Sequence, residues 1–308
     1  MSTVTPQRYL DPKALEKIKR LDVRARLVVE GFITGEHRSP YNGLAVEFAT
    51  HREYTPGDDT KHIDWKVWSR TDRFYIKEYE EETNLQCTIL LDSSKSMRYG
   101  ADSEGHWSKF DYAATCAASL TWLLQHQQDA VGLLTFNTKV ERHIPPSSHP
   151  SHFKKLLHEL EQMKPDHQTD LAGIFPQLAE QIRRRGLIVL ISDLLVDADI
   201  LAKALLQFRL RKHEVVVLQV LHHDELTFPF QDNTLFRGLE VETELHTEPR
   251  ALRKSYLEAL ERHLARVRKI CSAAGVDHVL MSTHDPLSAA LSSYLTFRQR
   301  TRRNITRR

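Results

Sequence analysis

The chain has 308 residues, 41% of them hydrophobic and 27% charged, and a formal net charge of +2. That is the make-up of an ordinary globular protein; it excludes an acidic solvating chain and gives no overall basic field for nucleic acid. Cys87, Cys116 and Cys271 lie far apart in apolar surroundings, which excludes a disulfide framework and predicts reduced, buried thiols. The start MSTVTPQRYLDPK lacks the apolar core of a signal peptide, and no window nears the roughly 18 apolar residues of a membrane helix. The expected location is the cytoplasm.

Residues 12–33 carry aliphatic side chains at helical spacing (Leu15, Ile18, Leu21, Val23, Leu27), which predicts one helix. A loop with SPYNG (39–43) leads to VEFATHREY (46–54), rich in β-forming residues, and then to the turn TPGDD (55–59). A short helical turn is expected around 63–68, and RFYIKEYEE (73–81) reads as a second strand. Pro56 and Gly57 suit the turn, and Asp58 or Asp59 suits a cap after it. Arg52, Asp64 and Arg70 have the charges for an ion-pair network. Trp65 and Trp68 have the bulk to bury a junction, and Trp65 or Arg70 equally suits a partner surface.

From residue 85 the rhythm becomes strand and helix in alternation. LQCTILLD (85–92), AVGLLTFN (130–137), VERHI (140–144), GLIVLISD (186–193), EVVVLQVL (214–221) and VDHVLMS (276–282) read as strands. Helices are expected over 108–128, 151–163, 171–185, 198–211 and 286–300, with a polar, turn-rich excursion at 222–250. A further helix before the last strand sets Leu257, Leu260, Leu264, Val267 and Cys271 in one stripe, which suits a helix covering its own sheet better than a partner face. The fold class is α/β: a doubly wound, mostly parallel six-stranded sheet with a small β-rich element before it. The expected segments are 1–84, 85–300 and a basic tail at 301–308.

In such sheets ligands bind beyond the carboxyl ends of the strands, where the strand order reverses. The first and fourth strands end in Asp92 and Asp193, and in the order 3-2-1-4-5-6 they are neighbours at that reversal. Thr169 opens a helix between them in the chain, and Ser94 and Ser96 follow Asp92 on alternate positions. The candidate set is Asp92, Ser94, Ser96, Thr169 and Asp193. Each piece has an ordinary reading too: Asp-Ser-Ser is a common turn, Ser96 can cap, and Thr169-Asp170 is a normal helix start. Their conjunction points instead to a hard divalent cation. Magnesium takes six oxygen ligands at about 2.1 Å; neutral hydroxyls can enter that shell while the carboxylates hold coordinated waters. Little negative charge would then sit directly on the ion, leaving it free to attract a carboxylate from another protein.

This constellation resembles the metal-ion-dependent adhesion site of von Willebrand factor A domains, over roughly residues 85–300. The upstream GEHRSPYNGLAVEF (35–48) and REYTPGDDTKHIDWKVWSRTDRFYIKEYEEET (52–83) resemble the front of the bacterial family catalogued as domain of unknown function fifty-eight. The resemblance implies magnesium, with manganese or calcium as alternatives, at Asp92, Ser94, Ser96, Thr169 and Asp193. It also implies a non-enzymatic adaptor or co-chaperone for a MoxR-type AAA+ ATPase in protein maturation or metal insertion. Lys95, inside the motif, departs from it by placing a cation near the ion.

An enzyme reading competes. A strand-end aspartate suits a magnesium-dependent phosphatase with Asp92 as nucleophile, but position 94 is serine, which cannot act as the carboxylate acid/base. No G-x-x-x-x-G-K-[ST] or G-x-S-x-G occurs, so neither a P-loop nor a hydrolase elbow is present. His149 with His152, and His222-His223-Asp224, lack a second ligand pair for zinc. The tail RQRTRRNITRR (298–308), with six arginines, suits a solvated terminus or an anionic contact.

Overall fold

Runs such as QCTILLD and LIVLIS are apolar at every position, and a strand of that kind is stable only with cover on both faces. The computed structural model builds the sheet around them. It describes residues 15, 18, 20–36, 50–55, 65–71, 73–78, 85–101, 107–166, 171–232, 234–239, 244–288 and 291–292. The chain divides into two units, Glu36–Asn84 and a larger one of Met1–Gly35 with Leu85–Arg308.

In chain order the elements are α1 (Leu21–Glu36), β1 (Thr50–Glu53), α2 (Trp65–Thr71), β2 (Tyr75–Glu78), β3 (Gln86–Asp92), α3 (Lys109–His126), β4 (Ala130–Phe136) and β5 (Val140–Ser147). There follow α4 (His152–Gln162), α5 (Leu171–Gln181), β6 (Leu187–Ser192), α6 (Ala198–Leu210) and β7 (Glu214–Leu221). Last come α7 (His223–Thr227), β8 (Thr234–Arg237), β9 (Glu244–Thr247), α8 (Pro249–Ala273) and β10 (Asp277–Ser282). The six-stranded sheet runs β10-β7-β6-β3-β4-β5, with only β5 antiparallel to its neighbour. Counting only the strands of this sheet along the chain, that is the order 3-2-1-4-5-6. Asp92 and Asp193 therefore end, and just follow, adjacent strands.

Alternation along the strands explains the two layers. Ile89 and Leu91 of β3, with Val189 and Ile191 of β6, pack among residues of α1, α3 and α4. Leu90, Ile188 and Leu190 face the other way, against α5, α6 and α8. Helix α1 sets Leu21, Ala25, Val28, Val29 and Phe32 in the first of these cores. Helix α1 falls with the larger unit, where its apolar stripe is buried. In α8, Val267 and Cys271 of the expected stripe join the second core, against the chain's own sheet.

Helix α3 opens at Ser108, whose hydroxyl accepts from the Asp111 N–H at 3.0 Å and donates to the Asp111 carboxylate at 2.6 Å. Ser108→Ala should cost about 1 kcal/mol of stability in urea denaturation. No measurable loss would show that the cap is idle. Cys87, Cys116 and Cys271 are free and buried, and burial pushes the Cys116 thiol up to about 12 and Cys271 to about 11.

The excursion at 222–250 is not wholly irregular. It holds α7 and the antiparallel pair β8–β9, gathered beside an aromatic cluster in which Phe228 packs on Phe230, Phe236 and Tyr256. In the small unit, β1 pairs antiparallel with β2. There Trp65 and Trp68 pack edge-to-face on each other at 6.1 Å, and Trp68 stacks on Phe74 at 5.9 Å. Residues 56–59 of the expected turn, Asp64, most of the expected last helix and the arginine tail lie outside the described residues. Among those described, no helix is long and apolar enough to cross a membrane.

Candidate metal centre

Parallel pairing of β3 with β6 runs from Cys87↔Leu187 to Leu91↔Ile191, and this register brings Asp92 and Asp193 to one edge. Both are buried, at 0% and 2% exposure. The Asp92 Oδ1 accepts from the Ser94 N–H at 2.9 Å, and Oδ2 accepts from the Ser192 hydroxyl at 2.6 Å. Ser192 Oγ in turn accepts the Leu194 N–H at 3.1 Å, where Leu194 takes the left-handed φ of 52°. That conformation costs a leucine roughly 1 kcal/mol or more and turns the chain sharply after the strand. Gln219 of β7 fixes the Asp193 carbonyl at 2.9 Å, with His278 bonded behind it at 3.0 Å.

Beyond Asp92 the chain makes one turn of 3-10 helix, Lys95–Arg98. Ser94 stands at its N-cap, yet its side chain makes no cap bond. Its hydroxyl lies 3.0 Å from the Ser96 hydroxyl instead. Ser93 points elsewhere, to the Phe136 carbonyl at 3.0 Å and to Glu141 at 3.1 Å. Lys95 reaches Asp166, at 3.9 Å and half exposed. The structure therefore brings together Asp92, Ser94, Ser96 and Asp193. Thr169 lies outside the described residues.

The cation nearest these carboxylates is one that sequence reasoning missed. Lys109, 0% exposed, sits in the first turn of α3 and places Nζ 2.8 Å from Asp193 Oδ2 and 2.8 Å from Glu225 Oε1. A lysine there opposes the positive end of the helix dipole, so the two carboxylates explain its presence. Glu225 is fully used: its other oxygen accepts the His222 N–H at 2.7 Å and closes a capping box over α7. The signal that would have found Lys109 is a lysine in the opening turn of a helix otherwise apolar around most of its girth.

Electrostatics follow from burial. Burial, then the charge of Asp193, raises Asp92 to about 7 against the neutral donors Ser192 and Ser94. Burial alone would raise Asp193 as well, but Lys109 outweighs it through charge and hydrogen bond, helped by Ser96 and the Leu195 N–H, and holds it below the usual range. Lys109, which burial would lower, is held above its ordinary value by Asp193 and Glu225. In Glu225 burial wins over Lys109 and the group shifts up.

These residues fit a small hard cation. Adjacent ligands of an octahedral ion with bonds of about 2.1 Å lie about 3 Å apart. The Ser94 and Ser96 hydroxyls already stand at 3.0 Å. Asp92, an acid held dry against a second carboxylate, would be relieved by a positive ion. The histidines serve structure: His152 bonds the Val131 carbonyl at 2.8 Å, His149 the Ser151 hydroxyl at 2.8 Å, and His222 caps α7. Among the described residues, no group of three or more His, Cys, Asp or Glu is placed to hold a metal ion.

The model of the family described as "Protein of unknown function DUF58" matches residues 50–266. This chain belongs to that family. The DUF58 match takes in β1 and β2 as well as most of the sheet. An uncharacterized protein of Mycobacterium tuberculosis is 25% identical to this DUF58 protein over 295 residues, 94% of this chain and 91% of its own. Among solved structures, an aerotolerance-related membrane protein from Bacteroides fragilis has a TM-score of 0.48 at 18% identity, covering 68% of this chain and 97% of that one. Conserved hypothetical protein BatB from Bacteroides thetaiotaomicron has a TM-score of 0.45 at 14% identity, covering 70% and 99%. The SpRpn10 VWA domain has 0.38 at 14%, covering 67% and 93%.

Proposed function

We propose that this DUF58 protein is a non-enzymatic interaction module whose strand-end face holds a divalent cation, magnesium or else manganese or calcium, and engages an acidic residue of a protein partner. One observation carries the reading: two hydroxyls 3.0 Å apart stand beside two buried carboxylates delivered by adjacent strands. Ser94 and Ser96 would be direct ligands, joined by Thr169, while Asp92 and Asp193 orient them and hold coordinated water. Bound there, the cation would supply an electrophilic position for an incoming carboxylate. The partner class implied by the resemblance is a MoxR-type AAA+ ATPase, for which the chain would act as adaptor or co-chaperone in protein maturation or metal insertion. Three free, buried cysteines fit a reducing compartment, and the reading places the module in the cytoplasm.

The phosphatase alternative has less to stand on. Asp92 is 0% exposed and both its oxygens are already hydrogen-bonded, which suits an orienting group better than a nucleophile. Calorimetric titration with magnesium chloride should give a saturable signal that Ser96→Ala weakens about tenfold or more. Pull-down of a MoxR-type ATPase by the full chain should fall when the cation is chelated. Undiminished capture under chelation would remove the cation from the interaction. Metal-dependent turnover of phosphoesters, lost in Asp92→Asn, would favour the enzyme.

A further inference from the structure

Lys109 has no part in the metal site as so far described. A 0% exposed ammonium sits within hydrogen-bond distance of Asp193, one of the groups that would serve the cation. We propose that Lys109 is a built-in counter-ion that competes with the divalent cation for Asp193 and so sets its affinity, a conclusion that rests on the metal reading above. Lys109 is a positioning residue in this scheme; it acts through Asp193 and is not a ligand.

The geometry supports competition. Lys109 Nζ reaches Asp193 Oδ2 and Glu225 Oε1 at the same 2.8 Å. The ammonium is shared, and Glu225 is a second resting place when Asp193 is drawn toward an ion. Ser96 and Lys109 both help to hold the Asp193 carboxylate ionised, so the hydroxyl that would touch the ion and the ammonium that opposes it act on one group. Formal charge supplies the second argument. Asp92, Asp193 and Glu225 against Lys109 leave a surplus of two negative charges among these groups. A divalent cation cancels that surplus, so a partner's carboxylate would meet a neutral loaded site. Without Lys109 the loaded site would keep one negative charge and repel that carboxylate. Lys109 thus weakens cation binding and keeps the loaded face open to an anion.

The test is calorimetric titration of the full chain with magnesium chloride, comparing wild type with Lys109→Met, which keeps length and removes charge. Lys109→Met should bind about tenfold tighter or more. Its melting temperature, depressed in chelator, should be largely restored by magnesium, a rescue that a merely structural lysine would not show. Equal affinity in the two proteins would overturn the competition while leaving the metal site standing. Absence of binding in both would overturn the metal reading itself, and this inference with it. If Lys109→Met does not fold, the wild type decides the matter: the buried ammonium's NMR signal should move with the same magnesium midpoint as the heat. A signal that stays put while magnesium binds would sink the proposal.

Discussion

Asp92→Asn should raise the melting temperature of the cation-free protein at about pH 8 and strongly weaken its response to magnesium. The unfolded aspartate titrates near its ordinary value of about 3.9, whereas burial and Asp193 raise the folded one to about 7. Between those values the folded state binds more protons than the unfolded state. Stability therefore falls as pH rises through this window, and above it the whole penalty is present. The amide removes a cost on the order of 2–4 kcal/mol, about 3–6 °C in melting temperature. It keeps the Ser94 N–H contact and can donate to Ser192 Oγ with the polarity reversed. Magnesium affinity should drop by about a hundredfold. A lower melting temperature than wild type in chelator would show that the Asp92 carboxylate is a net stabiliser, contrary to this account.

Gly186→Ala should be the most damaging small substitution. A Cβ at Gly186 would overlap the Gln86 carbonyl oxygen and lie 3.2 Å from its carbon. Both are backbone atoms at the start of β3 and cannot swing aside as a side-chain tip would. Relief requires parting β3 from β6 where their pairing begins, at Cys87↔Leu187. The loss should reach about 3 kcal/mol or more in urea denaturation. Magnesium affinity should fall as well, because the far ends of these two strands set Asp92 beside Asp193. A variant within about 1 kcal/mol of wild type would mean that the strands yield there cheaply.

The sheet was legible because its strands are covered on both faces and so read as unbroken apolar runs. GLIVLISD needed no periodicity to be recognised, and Asp193 marked where it stopped. The pair β8–β9 was not legible: TLFR and ELHT are short and partly or wholly exposed, and the cluster around Phe228 joins residues well apart in the chain. Helix α1 was visible as a helix but not as a member of the main core, since a stripe shows that a face is buried and not against what. At the site, Asp92, Ser94, Ser96 and Asp193 stood out through spacing. Lys109 and Glu225 did not, because a lysine at a helix start and a glutamate in a capping box each look ordinary alone. Only the fold brings them within 2.8 Å.

The Ser192 hydroxyl, which joins Asp92 on one strand to the backbone following its neighbour, has a wider consequence. It stitches the two strand tips into a fixed floor, leaving rearrangement to the parts that lie outside the sheet. Those parts are the turn carrying Ser96 and the short helix carrying Glu225. Sequence drift in such peripheral pieces can retune what the face accepts while the floor beneath stays as it is.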